Sequence, residues 1–344
     1  MKKDIRELSQ EELEQFFLEN KQQKFRVNQL NEWIWKKGAT SFKQMSSLSK
    51  DLRSLLESDF IFNSAEIDQQ FRSYDGTIKY SFKLHDDKLI EGVLIPSKKR
   101  VTACISSQIG CSLACTFCAT GTLDMSRNLS HSEIFDQVFK LNTESEKNYG
   151  RSLSNIVFMG MGEPLLNYNN LLKAIKNITS EKGMAVSPRR ITVSTAGLSK
   201  QIIKLADDQV RFNLAVSLHS AIDEVRSDLM PLNDSINLTT LRDSIRYFHE
   251  KTNSRITYEY ILFKDVNDNL DDARKLASFC KVSPCKVNLI EYNPVEGINF
   301  EKSSNENTEG FISFLEGKNI IVNLRKSKGK DIDAACGQLV NKLQ

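Results

Sequence analysis

The spacing of apolar positions changes character twice along the chain. Up to residue 62 they recur at helical intervals; in VNQLNEWIWKKG, Val27, Leu30 and Ile34 share a face and Gly38 offers a stop. From 66 to 95 the period drops to two, in EIDQQFRSY, TIKYSFKL and KLIEGVLI, with Asp75-Gly76 and His85-Asp86-Asp87 as turn signals between them. That pattern predicts an antiparallel meander. Beyond it, seven short and almost continuously apolar runs follow: 101–107, 155–160, 191–196, 212–219, 257–263, 286–292 and 320–325. Helical stretches separate them near 130–147, 167–180, 198–207, 236–252, 269–281 and 305–317. Strands of this kind are buried on both faces and joined by right-handed crossovers. Six or seven βα units predict a barrel or part of one.

Three parts are therefore expected: a small helical domain over 1–62, an antiparallel β extension over 63–100, and an α/β unit over 101–344. The polar stretches 144–152 and 296–307 read as mobile loops. There is no internal repeat beyond the strand and helix alternation.

Composition narrows the class. With 40% hydrophobic and 26% charged residues in a chain of 344, the protein can bury a large core, which excludes a disordered chain. No apolar run approaches the roughly 20 residues of a membrane helix. The amino terminus lacks an apolar segment before a small-residue cleavage site, so a cytoplasmic location is expected. A net charge of +3 is too mild to announce a nucleic-acid partner. The local clusters Lys98-Lys99-Arg100, Arg189-Arg190, and Arg325, Lys326, Lys328 and Lys330 read as solvated faces. Trp33 and Trp35 beside Lys36 and Lys37 suit either an aromatic, basic nucleic-acid surface or the commoner core and snorkelling roles.

Seven cysteines, an odd count, point to reduced thiols rather than a disulfide framework. Their distribution carries the chemistry. Cys111, Cys115 and Cys118 form a CxxxCxxC run directly after a predicted strand. Structural zinc wants four ligands, and no fourth stands at a finger-like spacing. A four-iron, four-sulfur cluster held by three thiolates keeps one iron open to a ligand, the arrangement in which S-adenosylmethionine chelates iron and receives an electron. A zinc site completed by Cys104 or a distant residue, and plain buried cysteines, are the rival explanations. Phe117 would give such a site an apolar wall.

The second motif, Phe158-Met-Gly-Met-Gly162-Glu163-Pro164, also follows a strand; glycine permits close approach and Glu163 can accept from an ammonium. Ser194, Ser217-Leu218-His219 and Asn293 fall at the carboxyl ends of further strands, which in a barrel form one rim where active sites sit. Cys336, before Gly337 and near basic residues, reads either as a nucleophile or as a small buried apolar group. Cys104 raises the possibility of a redox-active pair.

Six segments, CISSQIGCSLACTFCATG, FMGMGEPLLN, SPRRITVSTAGL, LAVSLHS, CKVNLIEYNP and DIDAACGQL, resemble the radical S-adenosylmethionine methyltransferases acting on carbon-2 of adenine in 23S ribosomal RNA and transfer RNA. The similarity runs from about residue 20 to 340. It implies an α/β fold, a partial (βα)6 barrel preceded by a small helical RNA-contacting domain, in a monomer served by a flavodoxin- or ferredoxin-type electron donor. It implies that Cys111, Cys115 and Cys118 hold the cluster. Gly162, Glu163, Ser194, Ser217, Leu218, His219 and Asn293 would contact S-adenosylmethionine. Cys336 would be methylated and then attacked by a 5′-deoxyadenosyl radical, Cys104 would resolve the thioether through a disulfide with Cys336, and Glu91 would accept a proton. A radical route suits the target carbon, which lies between two ring nitrogens and is electrophilic. The rivals are carbon-8 methyltransferases of the same adenine, a radical enzyme acting on a small molecule or another protein, and a zinc-stabilised RNA-binding module without catalysis.

Overall fold

The computed structural model describes residues 2–340. Its first sixty residues gather around their own apolar cluster. Strand β1 (Lys3–Asp4) leads into α1 (Gln10–Glu19), which a Ser9 and Glu12 capping box starts. Helix α2 (Phe25–Asn31) runs on into a π turn over Glu32–Lys36, and the chain reverses at Gly38, φ +65°. Helix α3 (Lys50–Asp59) and β2 (Phe60–Ile61), paired with β1, complete the unit. Val27, Leu30 and Ile34 are buried together against Phe17, Leu52 and Leu56, as their spacing predicts. Arg6, almost wholly buried, bonds Asp4 at 3.0 Å and Asp136 at 2.8 Å and so fastens this unit to the larger body. Trp35 packs edge-on against Phe135 with 5.0 Å between ring centres, and Lys37 lies over Trp33, so both indoles serve packing.

The predicted meander forms as β3 (Glu66–Arg72), β4 (Ile78–Lys83) and β5 (Leu89–Pro96), with β6 (Val101–Cys104) antiparallel to β5. A short antiparallel pair, β7 (Gln108–Ile109) and β8 (Arg127–Asn128), closes the cysteine loop at its base. Alternating elements follow: α4 (His131–Tyr149), β9 (Asn155–Phe158), α5 (Tyr168–Thr179), β10 (Ile191–Thr195), α6 (Ser199–Asp207) and β11 (Asn213–Ser217). After α7 (Asp223–Leu229) and α8 (Leu238–Thr252) come β12 (Ile256–Leu262), α9 (Leu270–Phe279), β13 (Cys285–Glu291), α10 (Asn305–Glu316) and β14 (Ile321–Arg325).

All ten longer strands lie in one sheet ordered β14-β13-β12-β11-β10-β9-β6-β5-β4-β3. From β6 onward every pair is parallel and strand order follows chain order, the topology of a singly wound (βα)6 barrel with β14 added. The meander is continuous with this sheet, extending it at the β6 edge. One sheet face is packed under the helices by Ile156, Phe158, Val193, Leu214, Val216, Tyr258, Tyr260, Val287 and Leu289, all fully buried. One expectation needs correction, and one helix was not expected. Residues 144–149 are the last turns of α4, ended by Gly150 at φ +66°, because the polar side chains there cap and solvate a helix rather than break it. Helix α7, only seven residues long, is too short to show a period in the sequence. Among the described residues no helix is long and apolar enough to cross a membrane.

Candidate active site

Strand register decides which side chains share the second sheet face. Cys104 is level with Val157, Val157 with Thr192, Ser194 with Ala215, Ser217 with Glu259, Glu259 with Asn288, and Ile290 with Arg325. Since side chains alternate with period two, Cys104, Ser194, Ser217, Glu259 and Arg325 all project from the same face. On the antiparallel side Val93 is opposite Cys104 and Lys79 opposite Val93, which puts Glu91 on that face too. Here lies an open cavity lined by Cys111, Cys115, Cys118, Gly162, Glu163, Ser194, Ser217, His219, Glu259, Arg325 and Cys336.

The cysteine loop is stapled rather than free. The β7–β8 pair holds its base, the Cys118 amide donates to the Cys115 carbonyl at 3.1 Å, and the Thr116 amide donates to Leu229 at the end of α7. The Ala119 amide donates to Gly337, and Thr120 Oγ1 donates to the Leu339 carbonyl at 2.7 Å, so the loop is also bonded to the C-terminal segment. Burial, reinforced by the neighbouring thiols, pushes Cys111 up to about 11 and raises Cys115 as well. Cys111 and Cys115, whose ionisation burial and neighbouring thiols oppose, are donors that a cationic group would relieve.

Beside Cys111, Gly162 holds φ +89°, and a Cβ there would stand 2.4 Å from Gln108, so only glycine lets the turn press on that buried side chain. Gln108 Oε1 accepts from the Glu163 amide at 2.8 Å. The Glu163 carboxylate accepts from Leu165 at 3.0 Å and Ala196 at 2.8 Å, while burial raises its pKa to about 7. His219 Nδ1 accepts from the Ile261 amide, which leaves the proton on Nε2, and burial lowers its pKa to about 3. Its ring meets Phe117 edge-on at 4.9 Å, so Phe117 is the apolar wall expected of it. Leu218 is wholly buried off the cavity wall and acts through its backbone: its amide donates to Glu259, and its carbonyl accepts from Arg226.

Arg226 has no counterpart in the sequence reading. Its guanidinium is 1% exposed and donates to the carbonyls of Leu218 and Ala196 and to Asn233 Oδ1, cross-bracing the ends of β10 and β11. Arg226→Met keeps the volume but strands those carbonyls, so the variant is expected to lose about 3 kcal/mol of unfolding free energy. Denaturant melts of the two proteins measure that difference.

Cys336 is exposed to the cavity, and Cys104 is buried beneath it; both are free thiols, so the disulfide between them is not formed here. Burial pushes Cys104 up to about 12, helped by Cys336 and opposed by Arg325. Cys336 is likewise raised by its surroundings, again against Arg325. Arg325 bonds Glu259 Oε2 at 3.3 Å; Glu259 Oε1 accepts from Asn288, and Asn288 Oδ1 accepts from Asn323. This chain sets one fixed cation beside two thiols. Arg325, read as part of a solvated cluster, is instead a cavity residue. The clue available in the sequence was Glu259, a carboxylate inside the apolar run TYEYILF and in phase with Ser217 once the strands are aligned.

Glu91 and Asn293 lie off the cavity wall. Glu91 is buried on β5, 3.1 Å from Lys79. Asn293 donates to the Cys336 carbonyl at 3.4 Å, and its Oδ1 is buried with no partner among the described residues. The glycine cradle and the buried Glu163 carboxylate suit a ligand carrying an ammonium, and the thiol trio suits an iron–sulfur cluster. Among the described residues no three His, Cys, Asp or Glu side chains close on a point where one metal ion would be held.

Comparison with known proteins agrees with this geometry. Residues 3–61 match the family described as the ribosomal RNA large subunit methyltransferase N-terminal domain, and residues 105–277 match the radical SAM superfamily. The chain is 54% identical over 341 residues to a probable dual-specificity RNA methyltransferase RlmN of Flavobacterium psychrophilum, covering 99% of this chain and 98% of that protein. It is 41% identical over 350 residues to the dual-specificity RNA methyltransferase RlmN of Campylobacter fetus, covering 98% of each. A crystal structure of a radical SAM methyltransferase from Sphaerobacter thermophilus superposes with a TM-score of 0.92 at 37% identity, over 98% of this chain and 99% of that one.

Proposed function

Because the chain belongs to the RlmN family of radical SAM RNA methyltransferases, we propose that it methylates carbon-2 of an adenine in 23S ribosomal RNA and in transfer RNA, through an S-methyl group carried on Cys336. One observation carries this reading: a fourth thiol, Cys336, faces the same cavity as the three loop cysteines and Glu163, beside Arg325. A radical enzyme acting on small molecules has no need of that thiol, and a non-catalytic zinc module has no need of the cavity.

Cys111, Cys115 and Cys118 would hold a four-iron, four-sulfur cluster, and Gly162, Glu163, Ser194, Ser217, His219 and Asn293, with the Leu218 backbone, would hold S-adenosylmethionine. When bound, the two supply an electron, the methyl group and the radical that activates it. The chain supplies the rest. Arg325 favours the Cys336 thiolate, the nucleophile that takes the methyl group. Phe117 and His219 wall the room with an aromatic ring and a neutral imidazole, neither of which offers an acidic proton to a reactive carbon. Glu91 accepts the proton displaced from the adenine carbon, and the odd electron left by that displacement would return to the bound cluster. Cys104 then attacks the Cys336 sulfur: an S–S bond forms, the S–C bond breaks, and the carbon leaves with the bonding electrons and takes up a proton as the finished methyl. An electron donor of flavodoxin or ferredoxin type would supply the single electron the cluster passes on, and a dithiol reductant returns the disulfide to two thiols by exchange. The enzyme works as a cytoplasmic monomer, and its first 62 residues contact RNA.

Mass spectrometry of RNA digests after reaction with reconstituted enzyme tests the assignment. The expected product is 2-methyladenosine; 8-methyladenosine, or no methylated adenosine, overturns it.

A further inference from the structure

Lys79 is a lysine that solvation should have kept at the surface. Its side chain is 9% exposed on the concave face of β4, and its Nζ lies 3.1 Å from Glu91 Oε1, itself 7% exposed. The same Nζ donates to the Asp333 carbonyl at 3.3 Å, three residues before Cys336, and sits 5.5 Å from the centre of the Phe71 ring. An ammonium has three donors. Here they meet a carboxylate, a backbone carbonyl and an aromatic face. Removing both ions of a pair from water costs about as much as their attraction returns, so such a pair is a poor device for stability alone. What it fixes is place.

We propose that Lys79 is a positioning residue that ties the Glu91 carboxylate to the Cys336 loop, so that proton acceptor and methyl-carrying sulfur are held as one unit. The proposal rests on the function argued above. Lys79 stands directly opposite Val93, and Val93 directly opposite Cys104, so the cation, the acid two residues along β5 and the resolving thiol share one patch of the sheet. Glu91 Oε2 has no hydrogen-bond partner among the described residues and is the oxygen left to take a proton. The groups facing the carboxyl are Lys79 from β4, Asp333 and the Val340 amide from the C-terminal segment, and Ser81 directly opposite on β4. Burial raises the Glu91 pKa and Lys79 lowers it. Loss of the cation therefore raises it further and leaves the acceptor protonated over a wider range.

The test uses reconstituted holoenzyme carrying Lys79→Met or Lys79→Arg. In Lys79→Met the low-pH limb of RNA methylation is expected to move upward by about 1–3 in pH. Amide hydrogen exchange across residues 329–337 is expected to quicken by about tenfold as the tether is lost. Lys79→Arg, which keeps the charge, restores both towards the parent. Glu91→Gln, nearly isosteric, removes the charge that holds the lysine and is expected to quicken the same exchange. Unchanged exchange in Glu91→Gln, or an unmoved pH limb in a folded Lys79→Met, overturns the proposal. Cys336 methylation by the parent enzyme without RNA separates the two ideas: its absence defeats the functional reading, whereas the exchange arm needs no turnover.

Discussion

Cys336→Ala is expected to abolish RNA methylation, by at least about 10³-fold, while leaving the protein folded and its cluster assembled. The side chain is exposed to the cavity, so truncating it changes stability by no more than about 0.5 kcal/mol. Its carbonyl, not its sulfur, accepts from Asn293, and the neighbouring Gly337 carbonyl accepts from Ala119, so the loop keeps its docking bonds. Peptide mass spectrometry should show S-methylation at Cys336 in the parent and none in the variant, with iron content equal in both. RNA methylation surviving the substitution would place the nucleophile elsewhere. Cys104→Ala should do something different: with the resolving thiol gone, protein stays covalently attached to RNA and migrates as an adduct under denaturing conditions.

Cys118→Ala should be equally complete but earlier in effect. Removal of one of three thiols leaves two, too few to keep a cluster that already lacks a fourth protein ligand. Iron and acid-labile sulfide are expected to fall to background in anaerobically reconstituted protein, the visible absorption to vanish, and reductive cleavage of S-adenosylmethionine to cease. Full iron loading and undiminished cleavage in the variant would remove Cys118 from the ligand set. The Cys336 thiol gives a control, since the two substitutions separate metal loss from nucleophile loss.

The ten longer strands, all six long crossover helices and the cysteine loop could be read from the sequence because each is a local pattern: period two, period 3.6, and thiols within eight residues. Register is what made the remainder hard to read. Glu259 and Arg325 enter the site only once β11, β12, β13 and β14 are aligned, and nothing in either residue's neighbours states that alignment. Arg226 is a similar case, since its partners are backbone carbonyls of two other segments. Leu218 illustrates the converse: it was named from a motif and is present in the site, but by its peptide groups rather than its side chain. Asp75 and Asp331, which bond the Gly329 amide and the Ser73 hydroxyl and so fasten the C-terminal segment to the β3–β4 turn, look in sequence like ordinary turn residues.

A sheet whose strands are laid down in the order of translation can be built by accretion, each new strand docking beside the one emitted just before it. The segment bearing Cys336 breaks that rule, since it returns across some 250 residues to reach Asp75 and Lys79. A nascent chain thus lays down all seven parallel strands before the segment bearing Cys336 can cross back over them, so the bonds from Ala119 and Thr120 that dock the cysteine loop onto that segment form after the sheet is complete.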